Sequence, residues 1–105
     1  MAKITLATLK SFLKKNEGNL YIIEHSRFDG MSDMVETNYA AKLTKVETKF
    51  DPEKQYNFGI PKLWVVRGSR DWFTEKKFTA EDGTVYEGIN CYNCCGEWTV
   101  YRKVK

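Results

Sequence analysis

The chain has 105 residues, room for one hydrophobic core and not for a two-domain enzyme, so residues 1–105 are expected to form a single domain. Hydrophobic residues make up 42% and charged residues 30%, with three Trp, six Tyr and six Phe, a balance that excludes a disordered tail. Seventeen Lys and Arg against fourteen Asp and Glu leave a net charge of +3, too mild to mark a dedicated nucleic-acid binder, and no stretch approaches the roughly 20 apolar residues of a membrane helix.

From Thr5 to Lys15 the leucines Leu6, Leu9 and Leu13 recur at helical spacing, Phe12 widens the stripe, and Lys10, Lys14 and Lys15 fall largely outside it. This predicts an amphipathic helix. Thr5 can cap its first turn, the lysines suit the negative end of its dipole, and Asn16-Glu17-Gly18 supplies the stop. Leu20 to His25 is short, β-branched and aromatic, and reads as a first strand running toward the turn-like Asp29-Gly30. Met31 to Glu36 reads as a second short strand or an ordered loop, and Tyr39 to Val46 as a strand. Thr48 to Pro61, with Asp51-Pro52, Asn57 and Gly59, is expected to be a connecting loop and the most flexible part of the chain.

Leu63-Trp64-Val65-Val66-Arg67 has the bulky apolar run of a central buried strand. Trp72-Phe73 and Lys76 to Thr79 lead into Asp82-Gly83, the signature of a tight hairpin turn between Phe78 and Val85. Strands from Thr84 to Tyr92 and from just after Gly96 complete the pattern, the last alternating Trp98, Val100 and Arg102 against Thr99, Tyr101 and Lys103. One helix ahead of several antiparallel strands is an α+β fold: an N-terminal amphipathic helix packed on an antiparallel sheet of about five strands, with Leu6, Leu9 and Leu13 against one sheet face.

Two clusters carry chemical interest. Cys91 and Cys94 have the spacing of a zinc knuckle, and Cys95 and the single histidine, His25, would complete a Cys₃His set, which makes zinc a candidate cofactor. In the competing reading Cys91 or Cys95 is a small buried hydrophobe and Cys94 sits in the turn before the last strand. Three cysteines this close are not the scattered staples of a secreted fold, and Met1-Ala2-Lys3-Ile4 lacks a signal peptide's apolar run, so a cytoplasmic protein with reduced thiols is expected. Catalysis finds no constellation. A thiol nucleophile wants a histidine base, and His25 stands beside Glu24 on a strand without an orienting partner. Asp29, Asp33, Asp71 and Asp82 lie in turn contexts that favour Asp for local hydrogen bonding, and neither phosphate-loop pattern occurs. A non-enzyme is expected.

The second cluster, Arg67-Gly68-Ser69-Arg70-Asp71-Trp72-Phe73, sets two guanidinium groups and two aromatics around a glycine at the predicted end of a strand. Arg forks to carboxylate or phosphate, and Trp packs into a partner's pocket or stacks on a base. Arg67, Arg70, Asp71 and Trp72 are therefore the candidate binding residues. In the competing reading Trp72 and Phe73 turn into the core while the arginines pair with Asp71.

Together, Leu6 to Lys15, Phe28-Asp29-Gly30-Met31-Ser32-Asp33, Trp64 to Phe73 and Asn93-Cys94-Cys95-Gly96 make the chain resemble a family of small uncharacterised proteins carried by bacteriophages and other bacterial mobile elements. The resemblance spans most of the chain as short motifs and skips Glu36 to Ile60. It implies an intracellular, mobile-element setting and transfers no catalytic residue, ligand or partner. In that setting small non-enzymatic proteins often occlude a host protein, an inhibitor of host defence being one case. The leading expectation is a protein-binding module acting on a host or phage protein through Arg67, Arg70 and Trp72. The alternatives are a nucleic-acid binder using the same loop with the lysines of the first helix, and a zinc-stabilised small domain.

Overall fold

The computed structural model describes residues 4–27, 43–66, 68, 71–94 and 96–104, and for residues 24–27 only the backbone. Helix α1 spans Leu6–Lys15. Its first turn is closed from outside: the Thr5 hydroxyl accepts the Thr8 N–H at 3.4 Å, and the Thr8 hydroxyl accepts the Thr5 N–H at 3.3 Å, so two otherwise orphaned donors find partners. At the other end Asn16 donates its backbone N–H and its side-chain amide to the Phe12 carbonyl at 3.1 and 2.9 Å. Leu9 and Leu13 are fully buried, whereas Leu6 is half-buried at the margin.

Five strands follow: β1 (Leu20–Arg27), β2 (Thr44–Lys45), β3 (Trp72–Thr79), β4 (Val85–Asn93) and β5 (Gly96–Lys103). They form one antiparallel sheet in the order β2-β1-β5-β4-β3, as the α+β reading requires. The expected strand from Tyr39 to Val46 is present as Thr44–Lys45, its first residues lying outside the described ones, as do residues 31–36. The Asp-Gly signal lands in the β3–β4 hairpin. There Ala80 and Thr84 close a three-residue loop, Gly83 donates to the Ala80 carbonyl at 2.9 Å, and Gly83 takes φ +89°, a conformation that favours glycine.

One sheet face carries the main core. Leu9 and Leu13 of α1 pack with Leu20 and Ile22, Ile89 and Cys91, and Trp98 and Val100. Two expectations are corrected here. Leu63 to Arg67 is not a central strand: residues 63–66 have no strand pairing, and Arg67 lies outside the described residues. Leu63 and Val65 are buried in the same core as α1, but their backbone is satisfied otherwise, Val65 donating to the Tyr56 carbonyl at 3.0 Å and Val66 to an Asp71 carboxylate oxygen at 2.8 Å. Nor is Thr48 to Pro61 only a connector. It is irregular, with positive φ at Tyr56, Phe58 and Gly59, yet Phe58 and Ile60 are fully buried in the core, anchoring what the Pro and Gly signals suggested would be loose.

The opposite face holds a second cluster in which Ile23 and Tyr101 are buried among Tyr21, Phe78 and Tyr86. Phe78 stacks on Tyr86 with centroids 5.0 Å apart and meets Tyr101 edge-on at 4.9 Å. Near the helix side, Lys77, Glu87 and Arg102 stand in one cross-strand row, with ion pairs of 3.4 and 2.9 Å to Glu87. The Arg102 hydrogen bond holds the Glu87 carboxyl below its ordinary value.

Candidate interaction surface

The candidate loop is built on a buried polar node. Asn93, on β4, donates its side-chain amide to the Trp64 carbonyl and to an Asp71 carboxylate oxygen, both at 3.1 Å. The Trp98 indole N–H donates to the same Trp64 carbonyl, and the Cys91 thiol lies 3.9 Å from each acceptor. The Asp71 carboxylate also receives the backbone N–H groups of Val66 at 2.8 Å and Gly68 at 3.4 Å. One end of the loop is thus held through Trp64 and the other through Asp71, both against β4.

Asp71 therefore faces inward and positions the loop. Trp72 faces outward. It is 58% exposed, the most exposed of the large apolar side chains among the described residues, and tilts against Tyr92 at 6.0 Å between ring centroids. Phe73, one residue on, crosses to the other face and packs against the core, so the aromatic pair divides between the two readings of the sequence. Arg67 and Arg70 lie outside the described residues. Two further aromatics belong to this end of the molecule and were not singled out by sequence: Trp64, 49% exposed, and Tyr56, 42% exposed, with ring centroids 6.0 Å apart. Their segment runs on the α1 side of the sheet, where Leu63 and Val65 are buried, whereas Trp72 sits with Tyr92 on the opposite face. The loop is flanked by an exposed tryptophan at each stem. Alternation within Leu63-Trp64-Val65 was the available signal for Trp64, since burying its two neighbours turns it away from the core.

The cysteines separate. Cys91 is buried, and burial first, then the Asp71 carboxylate, push its thiol up to about 12, so at neutral pH it is a protonated thiol and a poor nucleophile. Cys94 is exposed in the turn between β4 and β5. Cys95 and the His25 side chain lie outside the described residues, and among those described no three His, Cys, Asp or Glu side chains are grouped to hold a metal ion. No helix among the described residues is long and apolar enough to cross a membrane. No protein-family model, curated protein or solved structure matches this chain.

Proposed function

We propose that this is a small non-enzymatic binding protein of a bacteriophage or mobile element, acting in the bacterial cytoplasm by binding a host or phage protein, inhibition of a host defence protein being one case. Its contact surface is the loop and stem comprising Arg67, Arg70 and Trp72, with Asp71 as the residue that shapes it. The observation that carries this reading is the exposure of Trp72 beside Trp64, Val66 and Asp71, which hydrogen bonds tie to one another and to Asn93. Tryptophan and arginine dominate binding energy when a partner desolvates them, and stem residues held in place before binding have less entropy to lose.

The test is a pull-down from bacterial lysate with the full chain as bait, with and without nuclease, for the native sequence and for Arg70→Glu and Trp72→Ala. A stoichiometric, nuclease-resistant protein that is lost with both variants, whose melting temperatures stay within a few degrees of the native value, is the expected result. Variants that still retain the captured protein would remove this surface from consideration. Material that absorbs at 260 nm, disappears with nuclease and binds less tightly in linear proportion to log salt would replace the reading with nucleic-acid binding.

A further inference from the structure

β3 is the last strand of the sheet: β4 pairs with it on one side along all eight residues without a register shift, and among the described residues no strand pairs with it on the other. Its middle residues Thr74, Glu75, Lys76 and Lys77 are exposed in succession, so neither sheet face is covered there. Such an edge presents a row of unpaired backbone N–H and C=O groups, a template for one more strand. We infer that this edge takes an extended, acidic segment of a partner protein as an added strand. The inference rests on the protein-binding reading and names the chemistry of the partner.

Charge selects the occupant. Successive strand residues alternate faces, so Lys76 points to one side of the sheet and Glu75 and Lys77 to the other; an acidic residue of an added strand meets a lysine beside Lys76 or Lys77, and only beside Glu75 a like charge. Lys77 already shares Glu87 at 3.4 Å; Lys76 has no ion-pair partner among the described residues. On the helix side there is also space. A groove of about 550 Å³ lies between Ile4, Thr8 and Phe12 on one wall and Glu75, Lys77, Glu87 and Arg102 on the other, so β3 side chains on this face border open space.

A second copy of the chain is the competing occupant. Antiparallel pairing of β3 with itself about a two-fold axis perpendicular to the sheet keeps each residue on its own face, so one residue must meet its own copy. Centring on Glu75 or Lys77 sets like charges face to face, which destabilises a cross-strand pair; centring on Lys76 does so once but also sets Glu75 opposite Lys77 on both sides of that pair. Frames centred on Thr74 or nearer either end of the strand avoid a like-charge pair at the axis but leave part of the strand unpaired.

The test uses the full chain and three synthetic peptides of about ten residues, near the common strand length: one alternating Thr with Glu, one alternating Thr with Lys, and the acidic one N-methylated at alternate residues along the edge that would pair. Binding is read by fluorescence anisotropy and its location by amide NMR shifts. The acidic peptide is expected to bind at least tenfold more tightly than the basic one, to shift the β3 amides, to lose binding on N-methylation and to weaken several-fold against Lys76→Glu. Equal binding of both peptides, shifts elsewhere, indifference to N-methylation, or no binding would overturn the inference, as would a dimer in sedimentation equilibrium that Thr74→Pro dissolves. A captured protein that depends on Trp72 but ignores Lys76→Glu and Thr74→Pro would leave the proposed function standing without this edge. Acidic-peptide binding at β3 without any captured protein would do the reverse.

Discussion

Asn93 is buried, and its amide nitrogen serves the Trp64 carbonyl and the Asp71 carboxylate together. Removing it takes one donor from each of two acceptors, which keep Trp98 at the Trp64 carbonyl and Val66 and Gly68 at Asp71, and the loss of two such hydrogen bonds costs about 1–3 kcal/mol. Asn93→Ala is therefore expected to lower stability by that amount in urea denaturation and to speed hydrogen exchange at Val66 and Gly68, whose N–H groups Asp71 accepts. A variant that unfolds at the native urea midpoint would show that the node does not hold the loop. Cys91 gives a prediction about pH. Its thiol is raised in the folded state to about 12, above the ordinary cysteine value near 8.5, so its contribution to stability is complete below the ordinary value and is lost as pH rises toward the folded one. The native protein should lose urea stability faster than Cys91→Ala between about pH 8.5 and 11, the difference isolating this thiol from the lysines and tyrosines that titrate nearby. Parallel curves would mean that the thiol is not protonated by its surroundings.

At the scale of elements, the helix and the last two strands were legible because their periodicity is unbroken and their ends are marked by Thr5, Gly83 and Gly96. Leu63 to Arg67 misled for a physical reason. Leu63 and Val65 are buried as one face of a strand would be, but hydrophobic pattern says nothing about where backbone groups find partners, and here those partners are the side chains of Asn93, Trp98 and Asp71 and the carbonyls of Ile60 and Tyr56. The candidate site was half legible in the same way. The Arg and Trp residues announce a contact loop by type, whereas the asparagine that shapes it looks like any polar residue in a strand. Within α1 the two kinds of leucine should separate clearly. Leu13 is fully buried and Leu6 only half, so Leu13→Ala is expected to cost about 2–5 kcal/mol and Leu6→Ala distinctly less, as measured by urea denaturation. Equal losses would mean that the helix is not seated as described. Gly88 is a second such test. A Cβ there would stand 1.9 Å from the Val100 carbonyl oxygen on β5, so Gly88→Ala must push β4 and β5 apart, at a cost of about 1–3 kcal/mol.

For the whole molecule, the strand order makes stability uneven across the sheet. β5 is central, joined to β1 from Leu20 opposite Arg102 to Arg27 opposite Gly96 and to β4 along its other side, so the N-terminal and C-terminal parts of the chain close the same ladder. Its middle residues are buried on both faces, with Trp98 and Val100 toward α1 and Thr99 and Tyr101 away from it. β3 has one neighbour and an exposed middle. Opening β5 breaks two ladders and both clusters, whereas freeing β3 breaks one ladder and uncovers little beyond Phe73 and Phe78. Native-state hydrogen exchange should show this directly: β5 amides bonded to β1 and β4 exchanging only through global unfolding, and β3 amides through a smaller opening whose free energy depends weakly on denaturant. Equal protection of β3 and β5 would mean that the sheet opens as one unit, and that the edge has no independent freedom with which to adjust to an added strand. The expected order places the most easily rearranged backbone directly after Trp72, so the anchor of the proposed surface and its most adaptable strand are neighbours in the chain.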